Sequence, residues 1–155
     1  MAVTARVLDG KALAARIIED VRVQVAARVS TGKPRPTLAT VLIGDNPASG
    51  IYVRSKQKNA KQAGIETFDH RLPDSISTDE LLTLVKQLNR DDAVSGVLIQ
   101  QPVPPQIDMT RVIHELDPVK DVDGFHPINA GRLATGLPAL LPCTPLGCIL
   151  LTRTV

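Results

Sequence analysis

Three apolar stretches with helical patterns between them constrain the fold of this 155-residue chain most strongly. The stretches are TLATVLIG, IETFDHRL and VSGVLIQQ, at residues 37–44, 65–72 and 94–101. The first has apolar residues on both faces, as in a strand of a buried parallel sheet. Strands that alternate with helices in units of this length favour a parallel sheet with right-handed crossovers. We therefore predict an α/β fold, a three-layer α/β/α domain with a mostly parallel sheet.

The first two helical patterns have recognisable ends. One starts at Asp9 or Gly10 and runs to about Ser30. Its apolar residues recur at every fourth position: Leu13, Ile17, Val21 and Val25. The other follows the turn GDNPAS, with Ser49 as the expected N-cap and Gly64 as the expected C′ glycine.

The third helix starts at a candidate capping box formed by Ser77 and Glu80. Beyond the third apolar stretch the pattern loosens. We predict a proline-rich loop, a short helix over residues 109–116, a polar loop over 117–127, and mostly turns over 128–147. Residues 145–155 resemble the start of a helix that is cut off in an apolar stretch, so we expect the native chain to continue.

Charge and composition narrow the expected partners and location. The net charge is +2 and basic residues form no stripe, so we expect no nucleic-acid partner. No apolar run is long enough to cross a bilayer, and MAVTARVLDG lacks the order of a signal peptide. We therefore expect a cytoplasmic protein with no membrane partner, in which Cys143 and Cys148 are buried or incidental thiols. His70, His114 and His126 lack ligand spacing, so we expect surface or loop histidines and no metal site.

Polar side chains suited to catalysis lie next to two of the predicted strands. Tyr52 and Lys56 are four residues apart, which places them on one face of the second helix. Gln100 lies at the end of the third stretch, and KDVDG at residues 120–124 supplies Asp121 and Asp123. Ligands bind at the carboxyl ends of the strands in an open parallel sheet. We therefore expect a phenol, an amine, an amide and a carboxylate around one cleft.

Each of these residues also has an explanation that involves no function. Tyr52 could lie along a lysine stem at the surface, Lys56 could be a solvated lysine, and Gln100 could cap a strand. Asp121 and Asp123 could form a turn, and the further oxygen ligands of a calcium loop are absent. On these residues alone both explanations stay open.

Nucleotide-binding motifs are missing from the sequence. It contains no G-x-G-x-x-G after the first stretch and no G-x-x-x-x-G-K-[ST]. This β-α-β unit therefore predicts no dinucleotide site of its own. A Tyr-x-x-x-Lys pair also occurs in short-chain dehydrogenases, but there it follows a glycine-rich nucleotide strand that this chain lacks.

Four longer motifs, taken together, resemble one family. They are VLIGDNPASGIYVRSKQKNAKQAGI, GVLIQQPVP, KDVDGFHPINAGRL and PCTPLG, in that order. In them the chain is similar to the bifunctional methylenetetrahydrofolate dehydrogenase/methenyltetrahydrofolate cyclohydrolase (FolD) family. The resemblance implies that residues 1–144 form the folate-binding catalytic domain. It also implies that residues 145–155 start the linking helix towards an NADP-binding domain of Rossmann type, which this sequence does not contain.

The resemblance implies roles for single residues. Lys56 corresponds to the catalytic lysine, Tyr52 to the tyrosine that stacks on the ligand, and Gln100 to the partner of the lysine. Asp123 corresponds to the aspartate that holds the pteridine, and Asp121 would then shape the loop.

Three further positions lie at the edges of this pattern. Thr144 belongs to the segment that resembles the hinge towards the cofactor domain, which makes it a candidate cofactor-binding residue. The resemblance implies that most other cofactor-binding residues, including those that select NADP or NAD, lie beyond Val155. Gln101 departs from the family, in which leucine is usual at this position. This change could alter the wall of the cleft, but it removes no catalytic group.

The implied activity is a pair of reactions in one-carbon metabolism, which supplies purine biosynthesis. NADP would oxidise 5,10-methylenetetrahydrofolate to the methenyl form, and water would open that ring to 10-formyltetrahydrofolate. An amine beside a cationic substrate in a partly dry cleft tends to lose its proton, so Lys56 would be the acid–base group. The complete protein would be a homodimer. Two alternatives remain: a non-catalytic ligand-binding or assembly domain of the same fold, and an unrelated NAD-dependent oxidoreductase.

Overall fold

The computed structural model of the protein describes residues 5–155. Residues 1–4 lie outside this range. They belong to the predicted catalytic domain and to MAVTARVLDG, the segment that lacks the order of a signal peptide. The elements alternate as expected up to the third strand. In chain order they are α1 (Gly10–Ser30), β1 (Thr37–Ile43), α2 (Pro47–Gln62), β2 (Glu66–Leu72), α3 (Thr78–Arg90), β3 (Gly96–Ile99), α4 (Met109–Glu115), α5 (Pro127–Ala134) and α6 (Cys143–Thr152).

The described strands form one parallel sheet in the order β2-β1-β3. The central strand β1 is almost entirely buried, which explains its continuous apolar sequence. Its residues Val41 and Ile43 are partners of His70 and Leu72 in β2, and Val41 also pairs with Ile99 in β3. This register brings the carboxyl ends of all three strands to one edge of the sheet.

Helices cover both faces of the sheet, so the predicted α/β class is confirmed. On one face, alternate residues of β1 join a buried cluster with α3 and α4. Members of this cluster include Ala39, Val41, Ile43, Leu81, Val85 and Val112. On the other face lies α2, whose Gln57 amide donates a hydrogen bond of 3.4 Å to the buried Thr40 hydroxyl. The alternation of side chains along β1 therefore divides one strand between two layers.

The ends of the helices follow local capping chemistry. The predicted capping box is confirmed, because the Ser77 N–H donates to Glu80 Oε2 at 2.8 Å and the Glu80 N–H donates to Ser77 Oγ at 3.3 Å. Gly64, with a φ of +79°, follows the last residues of α2 as the predicted C′ glycine. The bounds of α1 also agree with the prediction.

The predicted N-cap of α2 was wrong. The helix begins at Pro47, and Asn46 caps it by accepting hydrogen bonds from the N–H groups of Ala48 and Ser49 at 3.0 and 3.3 Å. An asparagine followed by a proline at the first helical position is a stronger start signal than a serine two residues further on. Ser49 is buried in the first turn instead, and within residues 5–155 its hydroxyl has no hydrogen-bond partner.

The carboxyl-terminal third departs most from the prediction. Residues predicted to be mostly turns contain α5, and α6 begins at Cys143, before the expected start at residue 145. Proline at the first position of α5 and a cap from the His126 side chain start this helix. His126 lies in the loop before α5, in line with the expected surface or loop position, but it is buried, whereas Cys143 and Cys148 are both exposed. Among the described residues, no helix is long and apolar enough to cross a membrane.

Candidate active site

The carboxyl edge of the sheet brings the predicted amine and amide together. Lys56 lies on the third turn of α2, and Gln100 follows directly after the last residue of β3. The Gln100 N–H donates to Val41 O at 2.9 Å, which continues the ladder between β1 and β3 by one residue. As a result, the Lys56 Nζ donates to Gln100 Oε1 at 3.1 Å, across a sequence separation of 44 residues.

The Gln100 side chain is held at both ends of its amide. Its oxygen accepts from Lys56, and its Nε2 donates to the Gln101 carbonyl oxygen at 2.5 Å. An amide held in this way presents a fixed acceptor to the lysine, so the remaining N–H groups of Lys56 point in defined directions. Both side chains are half-buried.

The carboxylate reaches the same edge on a loop, residues 117–126, which we call the acid loop. The Val97 N–H of β3 donates to Lys120 O at 2.8 Å, and Val97 and Asp121 form an isolated parallel bridge. The acid loop thus runs parallel to β3 as a further strand would. Asp123 follows this strand-like segment towards the carboxyl end of β3. It lines a pocket of about 220 Å³ together with Lys56, Ile99, Gln100, Gln101 and Phe125.

The surroundings of Asp123 change its acidity. Burial raises the pKa of its carboxyl, the positive charge of Lys56 opposes this shift, and the Asp121 carboxylate adds to it. The pKa of the nearby Cys143 thiol is raised as well, first by its partial burial and then by the Asp123 carboxylate. The Cys143 Sγ lies 3.4 Å from Val122 O, so the start of α6 touches the acid loop. These effects show that Lys56, Asp123 and Cys143 share one electrostatic environment.

Asp121 has different surroundings from Asp123. It is 2% exposed, and its Oδ2 accepts from the His126 N–H at 2.8 Å and from Asn129 Nδ2 at 3.0 Å. Both bonds hold Oδ2 against residues of the loop and of α5, so this carboxylate is tied to its own surroundings, unlike that of Asp123. This geometry supports the expectation that Asp121 shapes the loop.

Of the other residues singled out in the sequence, Tyr52 and Thr144 lie outside the pocket and Gln101 lines it. Tyr52 is on α2 one turn before Lys56, but it is 63% exposed and does not line the pocket. Thr144 is an exposed residue in the first turn of α6. Gln101, the departure from the family pattern, is exposed and does line the pocket.

Val155, beyond which most cofactor-binding residues are expected, is not itself part of the site. It follows the end of α6, is exposed, and does not line the pocket that contains Lys56 and Asp123. The structure therefore brings Lys56, Gln100 and Asp123 together, and leaves Tyr52, Thr144 and Val155 outside that pocket.

Several residues of the site were not identified from the sequence. Phe125 lines the pocket, while Gly124 and Asn129 hold the acid loop in place. The left-handed glycine after two acids was a usable sign of a turn. Nothing local identified Asn129, because its partners become neighbours only when the loop folds back. Among residues 5–155, no group of three or more metal-ligating side chains occurs.

The fold and the site first define a class: an α/β domain with an amine, an amide and a carboxylate at the carboxyl edge of a parallel sheet. The family model described as tetrahydrofolate dehydrogenase/cyclohydrolase, catalytic domain, matches residues 8–123. The chain belongs to this family.

Individual relatives agree with this assignment. The chain is 52% identical over 148 residues to the bifunctional protein FolD of Afipia carboxidovorans, covering 96% of this chain and 50% of that protein. The solved FolD structure from Campylobacter jejuni has a TM-score of 0.91 and 44% identity, over 95% of this chain and 52% of that one. FolD from Trypanosoma brucei, solved with NADP cofactor and inhibitor, has a TM-score of 0.92 and 31% identity, over 99% and 52%. The chain spans about half the length of the relatives it matches.

Proposed function

We propose that this chain forms the folate-binding catalytic part of a bifunctional methylenetetrahydrofolate dehydrogenase and methenyltetrahydrofolate cyclohydrolase. Residues 1–144 make up the catalytic domain, and residues 145–155 start the link towards a cofactor-binding domain. The observation that carries this proposal is the Lys56–Gln100 hydrogen bond of 3.1 Å at a pocket that Asp123 also lines. The family assignment and the relatives named as bifunctional FolD proteins support it.

Hydrolysis of the methenyl group requires a proton to be moved twice. Water attacks the one-carbon bridge, and the bond from that carbon to one ring nitrogen then breaks to give 10-formyltetrahydrofolate. Lys56 accepts one proton of the attacking water and returns it to the leaving nitrogen, and the second proton of that water passes from the intermediate hydroxyl to solvent as the formyl C=O bond forms. Gln100 holds the lysine by its amide oxygen and so directs the amine towards the reacting carbon. General acid–base catalysis of this kind contributes about 10²–10⁴-fold in rate.

Binding of the pteridine is the role of Asp123 and Tyr52. An ionised carboxylate accepts from an amino group and an adjacent ring N–H at the same time, which makes Asp123 a bidentate partner. Because its pKa is raised, we expect folate affinity to fall as the pH falls through that pKa, where the carboxyl gains a proton and loses an acceptor. The exposed ring of Tyr52 lies one helical turn from Lys56, where it offers a flat surface for stacking.

NADP is the cofactor that this function requires, and it would accept the hydride. No glycine-rich turn follows β1, and Gly44 leads by way of Asp45 into α2, which Asn46 caps. We therefore assign the NADP site mainly to residues beyond Val155 in the longer protein, with exposed Thr144 as a candidate contact at its border. No step of the mechanism above depends on it.

Further properties belong to the same proposal. We assign the complete protein to the cytoplasm and to one-carbon supply for purine biosynthesis. We also propose that it acts as a homodimer, with tetrahydrofolate derivatives as its small-molecule partners and no nucleic-acid or membrane partner.

The decisive experiment compares two lysines of one helix in the full-length protein. Lys56→Met should reduce methenyltetrahydrofolate hydrolysis, followed by absorbance, by about 10²–10⁴-fold and leave folate binding measurable. Lys58→Met is the matched control, since Lys58 is exposed on the same helix, and it should keep the wild-type rate. Hydrolysis at the wild-type rate in the Lys56 variant would rule out Lys56 as the acid–base group.

The alternatives give different results in the same assays. A non-catalytic domain of this fold would bind folate without turnover, and an unrelated oxidoreductase would not bind folate. Asp123→Ala should weaken folate binding far more than NADP binding, whereas Asp92→Ala, at an exposed position, should change neither. Equal weakening of both ligands by Asp123→Ala would show that the pteridine assignment is wrong.

A further inference from the structure

The Asp123 carboxylate depends on its neighbours for its direction. Within residues 5–155 it makes no hydrogen bond of its own, although it lines the pocket. It belongs to a loop, so no helical periodicity places it. What fixes Asp123 must therefore be the attachment of the residues on either side of it.

One attachment is the buried amide of Asn129 on α5. Asn129 is 2% exposed, and its Nδ2 donates to Pro118 O at 2.8 Å and to Asp121 Oδ2 at 3.0 Å. The two acceptors lie on the acid loop before Asp123. A single amide group therefore joins two points of the loop to the first turn of a helix.

The other attachments complete the frame around Asp123. The Val122 side chain lies over Gly96 of β3, where an added methyl group would come within 2.4 Å of it. Gly124, with a φ of +68°, lies so close to residues 140–142 that an added methyl group would be 2.7 Å from Leu140 O. Asp123 is thus held between two packed neighbours, and the Asn129 amide secures the segment that leads to them.

We propose that Asn129 is a positioning residue of the folate site: by binding Pro118 and Asp121 it sets the direction in which Asp123 presents its carboxylate. This inference rests on the proposed function. Asn129 does not line the pocket, so it acts through the loop and does not touch the ligand.

Removal of the amide leaves buried acceptors unpaired. In an Asn129→Ala variant, Pro118 O loses the amide hydrogen bond and the buried Asp121 carboxylate keeps only the His126 N–H of its two donors. Unpaired buried acceptors favour conformations in which the loop moves to reach water. A shift of about 1 Å at a binding group reduces catalytic efficiency by up to about 100-fold.

The experiment measures KM and kcat of the full-length enzyme for both substrates. Asn129→Ala should raise the KM for the folate substrate by about 10-fold to 100-fold. The KM for NADP should stay unchanged, and kcat should fall less, because Lys56 and Gln100 keep their contact. The control is Thr78→Val, which removes two hydrogen bonds of a buried hydroxyl, one to the Gln106 carbonyl oxygen and one from the Asp108 N–H and neither with the acid loop, and should leave the folate KM unchanged.

A second variant covers the case in which Asn129→Ala does not fold. Asn129→Asp has the same shape but places an acceptor opposite the Asp121 carboxylate. At high pH the folate KM should rise relative to wild type. As the pH falls, a proton shared between the two acids restores the donor, so the ratio of variant to wild-type KM should decrease. A role confined to stability would not produce this pH dependence.

The outcomes separate this inference from the proposed function. Absence of turnover in the wild-type enzyme would overturn the proposed function and this inference with it. Turnover in the wild type with an unchanged folate KM in the folded Asn129 variants would overturn the inference alone. An equal rise in folate and NADP KM would also overturn it, because the effect would then not be specific to the loop that carries Asp123.

Discussion

The two sides of the site are held in place by different means. Lys56 belongs to α2, whose backbone is internally hydrogen-bonded and whose Val53 is fully buried against the domain. Asp123 belongs to a loop that is held by the Asn129 amide and by the tight contact of Gly124 with residues 140–142. A helix distributes its support over many equivalent contacts, whereas the stretch of loop around Asp123 is held by side-chain hydrogen bonds and close packing at single residues, and further back by Lys120 Nζ, which donates to three main-chain carbonyl oxygens. We therefore expect substitutions to affect the two sides unequally.

The largest expected effect is on the side of the loop. Gly124→Ala would force a methyl group against the backbone of residues 140–142 at a φ of +68°. Left-handed strain and overpacking together should lower the free energy of unfolding by about 2–5 kcal/mol, and the folate KM should rise. Urea denaturation and steady-state kinetics of the full-length enzyme measure the two effects.

Gly136→Ala is the control for the Gly124 substitution. Gly136 also has a positive φ, of +72°, but no atom lies within 4 Å of an added methyl group. It should therefore lose only about 1–2 kcal/mol and keep the wild-type folate KM. Equal effects of both substitutions on KM would show that the close contact of Gly124 does not support the site.

The next effect concerns the helix. Val53→Ala removes two buried methyl groups beneath α2 and should lower the free energy of unfolding by about 2 kcal/mol. The KM for folate should change little, because the remaining contacts keep α2 in place. Val23→Ala, at an exposed position of α1, should change stability by less than about 0.5 kcal/mol. A rise in folate KM similar to that of the loop variants would contradict the unequal support of the two sides.

A smaller effect is expected at the N-terminal end of α2. Asn46→Ala removes the side-chain oxygen that accepts from two N–H groups of α2 and should lower the free energy of unfolding by about 1 kcal/mol. Thermal denaturation checks this value, and Asn46→Asp, which keeps an acceptor, should restore most of the stability. Hydrolysis by the Asn46→Ala variant should continue near the wild-type rate. A large loss of activity would contradict the expectation that the Asn46 cap only stabilises α2.

The smallest effect on stability has the opposite sign. The pKa of Asp123 is raised in the folded state by burial, so the folded chain binds more protons than the unfolded chain between the two pKa values. Wild-type stability should therefore decrease as the pH rises through this window. Asp123→Asn should be as stable as wild type below the window and more stable above it, while it binds folate poorly. Denaturation of both proteins over a pH series measures this. A difference in free energy of unfolding between Asp123→Asn and wild type that does not change with pH would contradict the prediction.

The sequence predicted the parts of this molecule that depend on neighbours along the chain. The strands, the capping box of α3 and the C′ glycine of α2 were found because each follows from a short pattern. Lys56 and Gln100 were placed at one edge because parallel strands end together. The start of α2 was missed where two caps competed, and Asn46 with Pro47 prevailed over Ser49.

The acid loop shows where such prediction ends. The two acids of KDVDG look alike in sequence, and only the resemblance to a family distinguished them. In the structure, Asp121 is enclosed by Asn129 and the His126 N–H, while Asp123 faces the pocket. α5, which supplies Asn129, was expected to be turns, so its contribution to the site could not be foreseen.

Helical hydrogen bonds and side-chain periodicity act within a few residues. The amino-acid sequence was therefore enough to predict the alternating strands and helices and the face of α2 that carries Lys56. Which carboxylate is enclosed, and which lines the pocket, depended on contacts between segments that meet only when the chain is folded. Burial and hydrogen bonding of a charged group are properties of its three-dimensional surroundings, and these surroundings gave Asp121 and Asp123 their different environments.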